Sequence, residues 1–523
     1  MKNLEQGKIG ARSYRDIRWQ LFILGFFRFS EALAWTSIFP YVFLMIKSLL
    51  PENETQAARA AALASSVVAL FTFGEFLMGL PWAKVSDRIG RKWTLMIGAV
   101  GGIISALGFG LSRSLSVALA ARVFGGLINP NVGVISACVG ELVKGDIDEG
   151  KAYSVVPFLR ALGGLIGPVL GGWLADPVKS MPSIFSRGSM WEKYPYLLPN
   201  LIVALCLACS GLLGFFFLEE THPHLQSRRD IGLEVFRWVS RTTKKAMGTL
   251  SRVNVSLYMA LPSSGEDAIP LDHIRDVELN SDEENTEPAE DEALTLELPL
   301  RNTYTPQVIL QILAASILAF HKVSSDVIIP IFLGKDYDSG STPSTPSTPD
   351  SRKREVFKFT VGFGMSPVGI SNVLLSQAVV AIIAQVLIVP KVISRWGALK
   401  SFRWAAVIFP WLYCLTPFTA RVTHPLSTVC MLVDIWIKGV LANLGYVGSN
   451  ILLTKTSPSR LHLATINGAA ASASCLARSI GAAVSGSMFR VGLQDGVIGL
   501  PFWTLSAIAG VGSVLSFFLR DEP

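Results

Sequence analysis

Charge is what this chain has little of. Asp, Glu, Lys and Arg make up 16% of its 523 residues, against about 25% in ordinary soluble proteins. A water-soluble fold of this size is thereby excluded. Cysteine is scarce as well. The six, Cys138, Cys206, Cys209, Cys414, Cys430 and Cys475, all lie inside apolar runs. Cys206 and Cys209 have CxxC spacing, but they sit in LIVALCLACSGLLGFFF with no second ligand pair nearby. They read as helix cysteines, neither a redox nor a zinc site. No nucleophile–base pair and no metal-ligand cluster stands in the loops, so neither enzyme chemistry nor a cofactor is expected. The polar, basic stretch from Met1 to Arg18 and the long apolar run after it do not form a cleavable signal peptide. A net charge of +7 could suggest nucleic acid. The basic residues instead fall in short loops of alternate parity, as membrane orientation signals do.

Apolar residues are what is abundant, at 50% of the chain with a mean hydropathy of +0.45. They gather into runs of about 20 residues or more, enough to cross a bilayer as a helix. Twelve spans are expected, at 20–46, 60–82, 93–112, 115–143, 153–176, 195–218, 306–334, 361–390, 402–421, 425–452, 462–490 and 497–519. The expected fold class is an all-α membrane protein with twelve transmembrane helices in two pseudo-symmetric six-helix bundles. The domains are a tail at 1–19, a bundle at 20–221, a linker at 222–305 and a second bundle at 306–523. Lys2, Lys8, Arg12, Arg15 and Arg18, the basic 2–3 loop, Lys391, Arg395, Lys400 and Arg403, and Lys455 with Arg460 share one side. That side is read as cytoplasmic, with both termini on it. Arg352, Lys353 and Arg354 dissent from the other side and are outvoted. Asn53 begins a glycosylation sequon in the outward 1–2 loop. The linker opens with a basic, amphipathic stretch, Arg228 to Arg252, and continues into an acidic one that reads as disordered. The STPSTPSTP run from Ser341 to Pro349 is a second flexible stretch.

The halves echo each other. Asp87-Arg88-Ile89-Gly90 returns loosely as Ser394-Arg395-Trp396-Gly397, and Arg160-Ala161-Leu162-Gly163 as Arg478-Ser479-Ile480-Gly481. Repeats of this kind mark transporters built from two related bundles. The charged turn WAKVSDRIGRK, with Asp87, Arg88, Gly90, Arg91 and Lys92, resembles the 2–3 loop of the major facilitator superfamily, Ala83 replacing the usual Gly. In the fifth span, Gly163-x-x-x-Gly167-Pro168-x-x-Gly171-Gly172 resembles the signature of the superfamily's proton-coupled antiporters. Arg122-Val-Phe-Gly125-Gly126 resembles its R-x-x-Q-G motif, with Gly125 in place of Gln. RFSEALAWTSIFPYV, YPYLLPNL and LEETHP, with Asn129, Asn131, Glu141, Asn200 and Asn467-Gly468, resemble a fungal and plant branch called zinc-induced facilitator-like, close to tetracycline-type antiporters. No cysteine precedes the first span, where plant members carry a cysteine-rich motif, so a zinc substrate is not supported.

Ionisable residues inside spans are costly and normally face a cavity or a partner. Arg28 and Glu31 share a helix face. Glu75, Arg122, His321 and the Asp434/Lys438 pair complete the candidates for substrate and proton binding; each could equally hold helices together. Lys322 and Asp326 accompany His321, and Arg160 and Arg478 flank the small-residue faces. Glu31 is the first candidate proton carrier, because the first helix lines the cavity in the family. By the resemblance, Arg122 couples proton and solute, and Asp87 with Arg88 and Arg91 latches the inner face. The implied function is exchange of a small organic solute for protons by a monomer in the lipid bilayer, of the plasma rather than the vacuolar membrane. A nutrient uptake symporter and a non-transporting sensor signalling through the linker are the alternatives. Nucleic acid and metal partners are not expected.

Overall fold

The computed structural model describes residues 14–52, 55–142, 149–222, 225, 230–236, 304–335, 361–423, 425–456 and 460–520. Asn53, Arg352 to Arg354, the STPSTPSTP run and most of the linker lie outside these residues. The described chain traces twelve spans in two sets of six. The first set is α1 (Tyr14–Thr36), α2 (Gln56–Ile89), α3 (Arg91–Gly110), α4 (Leu115–Leu127 and Asn131–Leu142), α5 (Glu149–Trp173) and α6 (Leu197–Phe217). The second begins with α7 (Pro306–Gly334) and α8 (Pro367–Ile383). α8 continues through a π turn, Ala384–Ile388, into Val389–Leu415, which Gly397 kinks; beyond it α9 occupies 398–415. α10 (Leu426–Lys455), α11 (Arg460–Gln494) and α12 (Leu500–Phe518) follow.

Two spans are less continuous than expected, for local reasons. α1 stops at Thr36 and resumes as a short helix, Val42–Ser48. Pro40 stands in the gap; it lacks an N–H and disfavours helix in the residue before it. α4 breaks over 128–130, at Asn129-Pro130. Among the described residues, eight helical segments are long and apolar enough to cross a membrane by length and composition, one of them α8 and α9 run together. α1 and α11 carry more polar residues, and α4 is split.

The repeat read in sequence appears in the backbone. Gly90 (φ 104°, ψ 156°) and Gly397 (φ 79°, ψ 163°) adopt almost the same conformation. It is open to glycine and strained for other residues. Each makes the sharp turn between the second and third helices of its half. Packing repeats as well: α1 lies on α5 as α7 lies on α11, α3 on α6 as α9 on α12, and α2 on α4 as α8 on α10. A β-carbon at Gly163 would meet the Phe29 carbonyl of α1; one at Gly481 would meet the Phe320 carbonyl of α7. The halves meet where α2 packs on α11 and α5 on α8.

That meeting is confined to one end. Ser371 Oγ donates to the Pro168 carbonyl at 2.6 Å, and Trp173 Nε1 to Asn372 Oδ1 at 3.1 Å. Ser479 Oγ donates to the Ala69 carbonyl at 2.9 Å, and Gly486 abuts Ser65. Toward the other end, which carries the Gly90 and Gly397 turns, the same faces part. Gly79 of α2, Gly164 of α5 and Gly468 of α11 have no neighbour within 4 Å of where a β-carbon would stand. Residues four apart share a helix face, so Gly164 lies on the face that touches α8 at Pro168 and Gly172. The space between the halves therefore opens at the end bearing the basic turns.

Candidate functional site

Where the halves part, at mid-height, ionisable side chains converge. On α1, Arg28 Nη1 pairs with Glu31 Oε2 at 2.7 Å. On α2, Glu75 Oε1 accepts from Asn129 Nδ2 at 2.8 Å, and the same amide reaches Glu31 Oε1 at 3.4 Å. Asn129 reaches both because it stands at the break in α4. From the other half, Arg478 Nη2 approaches Glu75 Oε2 to 3.6 Å and donates to Cys475 Sγ at 2.8 Å. Glu75 Oε2 and Arg478 Nε are buried without a hydrogen-bond partner. Arg160 of α5 is exposed, yet it stands within electrostatic range of Arg28, Glu31, Arg478 and Tyr446. An exposed side chain flanked by those four faces the space between the halves rather than lipid. Tyr446 of α10 adds Asp326 to the group, and Lys322 pairs with Asp326 on α7. Groups of this kind are expensive in a membrane interior unless paired or open to water; here Arg28 pairs with Glu31, Arg478 approaches Glu75, and Arg160 is exposed.

Not every predicted residue joins this cluster. Arg122 is buried behind it, its guanidinium 4.4 Å from the Phe71 ring centre and 5.7 Å from that of Phe109. Its Nε and Nη2 have no hydrogen-bond partner. It does not snorkel to an end of its helix; aromatic faces hold it inside the first half. His321 turns away from the opening. Its Nδ1 lies 3.0 Å from Tyr413 Oη, and its ring packs on Phe409. Lys438 Nζ pairs with Asp434 Oδ2 at 2.7 Å, and Thr416 Oγ1 donates to the same carboxylate at 3.1 Å. Lys438 also stands 4.9 Å from the Tyr413 ring centre. His321, Asp434 and Lys438 thus form a second polar cluster, buried within the second half.

The Gly90 turn organises a third group, at the basic end. Arg91 holds Asp87 at 2.7 Å, Glu141 at 3.1 Å and Ser86 Oγ at 2.8 Å. Glu220 accepts from the backbone N–H groups of Arg91 at 2.9 Å and Lys92 at 3.2 Å, where a helix N-terminus favours negative charge. Lys92, buried, pairs with Asp230 at 2.7 Å, and Asp230 in turn accepts from Leu233 N. Asp230, in the linker, is thereby docked on the turn. Asp87 and Arg88 are exposed, and no bond between described residues ties Asp87 to the second half. On α5, a β-carbon at Gly163 or Gly167 would strike Phe29 or Thr36 of α1, and one at Gly171 would strike Ser37 just beyond its end; one at Gly172 would strike Ser371 of α8. Pro168 supplies the carbonyl that Ser371 uses.

Tyr446 was not foreseen, because one tyrosine in a long span carries no signal of its direction. The role of Asn129 had a signal: an Asn-Pro step inside an apolar run breaks a span near mid-height, where broken helices of transporters bind their solutes.

Comparison with known proteins agrees with this architecture. The family description Major Facilitator Superfamily fits residues 24–340. The major facilitator superfamily multidrug transporter mfsB of Aspergillus fumigatus is 34% identical over 518 residues, covering 96% of this chain and 83% of that one. Protein zinc induced facilitator-like 1 of Arabidopsis thaliana is 31% identical over 208 residues, 39% of this chain and 42% of that one. Among solved structures, a D-xylose-proton symporter superposes with a TM-score of 0.61 at 12% identity, covering 97% of this chain and 98% of that one, a likeness of fold alone. By sequence match and by fold, the chain belongs to the major facilitator superfamily and is a multi-pass membrane transporter.

Proposed function

We propose that this transporter exports a small organic compound in exchange for protons. The observation that carries the reading is the mid-height cluster of Arg28, Glu31, Glu75, Arg160 and Arg478, where the space between the halves opens toward one end and is closed at the other. Such a pocket binds a solute or a proton and offers it to one side at a time. The antiporter-like string on α5 and the likeness to a multidrug transporter support export over uptake. On this reading the open end faces the cytoplasm, as do both termini, which the basic loops support, and the protein works as a monomer in the plasma membrane. Arg28 and Glu31 contact the solute, Arg122 stabilises the carboxylate side of the cluster, and the buried pair Asp434/Lys438 with His321 tunes the second half. Asp87 latches the inner face in the opposite state, where it meets a helix N-terminus of the second half. That interaction is worth about 0.3–1 kcal/mol at an exposed site and more when partly buried.

The test uses inside-out vesicles with an acidified lumen and a fluorescent reporter of the gradient. Amphipathic dyes and drugs are added from the cytoplasmic side. An exchanger collapses the gradient as it takes up its solute. A panel in which no compound moves protons, or in which addition deepens the gradient, contradicts the proposal. Asp87→Asn is expected to insert and fold normally while transport falls about fivefold for the 1 kcal/mol end of the latch energy, and further where the contact is partly buried. Unchanged transport in this variant removes the latch.

A further inference from the structure

Arg160 of α5 and Arg478 of α11 occupy equivalent places in the two halves. Each stands eight residues before the point where its helix meets the other half, Pro168 against Ser371 of α8 and Gly486 against Ser65 of α2. Their settings differ. Ten residues on from Ser65, α2 brings Glu75 to within 3.6 Å of Arg478. Ten residues on from Ser371, α8 brings Ala381. The correspondence is marked a second time: Asn129 of α4 donates to Glu75 at 2.8 Å, and Asn443 of α10 donates to the Ala381 carbonyl at 2.8 Å. A methyl group thus stands where the repeat calls for a carboxylate. Among the described residues, Arg160 makes no ion pair and no hydrogen bond. Its charged neighbours are Arg28, Glu31 and Arg478, and Arg28 already holds Glu31 at 2.7 Å. Lys322 and Asp326 cancel each other on α7. With both glutamates ionised, the three guanidiniums facing this space share two carboxylates, and the positive charge left over is that of Arg160. One helical turn along the same face, Gly164 has nothing within 4 Å of where a β-carbon would stand. The spare charge has open space beside it.

We infer that Arg160 is the recognition group for a solute carrying a single carboxylate. A guanidinium in a membrane interior is costly without a counter-charge. A carboxylate matches its planar fork with two parallel hydrogen bonds, each about twice as strong as a neutral one. One such group balances the surplus, whereas an ammonium group adds to it. The solute places its carboxylate on Arg160 and its apolar body in the space beside Gly164. The inference deepens the export reading by naming the class of solute. It rests on this pocket being the solute site and not on the exchange of protons.

The purified full chain in detergent is melted at about pH 8, where carboxylates are ionised and amines protonated. The probes are 3-phenylpropanoate, 4-butylbenzoate and octanoate, each set beside its primary amide and the matching amine. Affinities follow from the rise of melting temperature with probe concentration. At least one acid is expected to bind about tenfold or more tighter than its amide, the yield of a charge-assisted pair, and no amine to bind tighter than the amide. Arg160→Gln is expected to bind acid and amide alike. Arg160→Lys keeps the charge without the fork and is expected to retain a smaller preference. Ala381→Glu gives Arg160 the partner that Arg478 has, and is expected to bring the acid down to the level of the amide while amide binding stays. The inference is overturned if no acid outbinds its amide, if an amine binds tightest, if the preference survives Arg160→Gln or Ala381→Glu, or if it vanishes in Arg160→Lys. Ala381→Glu decides where Arg160→Gln gives no folded protein. Failure of the exchange reading would appear separately, as absent solute-driven proton flux with acid binding intact.

Discussion

Gly90 shows how much one residue can fix. Its backbone lies where other residues are strained, and a β-carbon there would run into the Glu220 carboxylate. That carboxylate receives the first N–H groups of α3. Gly90→Ala therefore costs both backbone strain and the cap, about 1–3 kcal/mol for the strain. Gly79→Ala on α2 meets nothing within 4 Å and gains about 0.5–1 kcal/mol of helix preference. Thermal unfolding of the purified variants is expected to place Gly90→Ala clearly below the unaltered chain and Gly79→Ala level with it or above. Equal melting of the two would remove the geometric role of the turn. The same residue scale separates His321 from its neighbours. Asp326, which Lys322 pairs with, stands near Tyr446, while His321, about 100° around the helix from Lys322, packs on Tyr413 and Phe409. Sequence placed all three on one span but could not orient the span.

Among elements, α5 carries the most information. Three of its glycines are consumed by contact with α1, and Gly172 by contact with α8; Gly164 faces open space. The string is thus two surfaces at once, a packing seam and a cavity wall. Gly171→Val places a side chain against the Ser37 carbonyl, an overpacking of about 1–3 kcal/mol or more, and is expected to cut the yield of folded protein. Gly164→Val is expected to fold normally and to narrow the pocket, lowering transport without loss of yield. Gel filtration in detergent followed by a transport assay separates the two; equal yields would contradict the assignment of faces. The spacing of the glycines was legible in sequence. The partner of each face was not, because it depends on which helix lies across it. Broken spans were half legible: Pro40 and Pro130 were in plain view, while the reach of Asn129 to both Glu31 and Glu75 exists only after α4 breaks beside α1 and α2.

At the scale of the molecule, apolar runs and the two short repeats were enough to expect twelve spans in two related halves. The backbone repeats that relation at Gly90 and Gly397. The candidate site was legible as a set of misplaced charges in apolar settings, Arg28 with Glu31 on one helix face, Glu75 and Arg478. The Glu75–Arg478 pairing was not, since the two lie far apart along the chain and meet only through the packing of α2 on α11. The account rests on the halves rocking about that meeting, and two distances read together measure this most directly. One dye pair reports the basic end, at Lys84 and Lys400; a second reports the opposite end, at Arg187 and Asp495, both exposed. On acidification the first distance is predicted to shorten as the second lengthens. Two distances that change together, or a basic end that closes while the opposite end stays shut, would contradict alternating access.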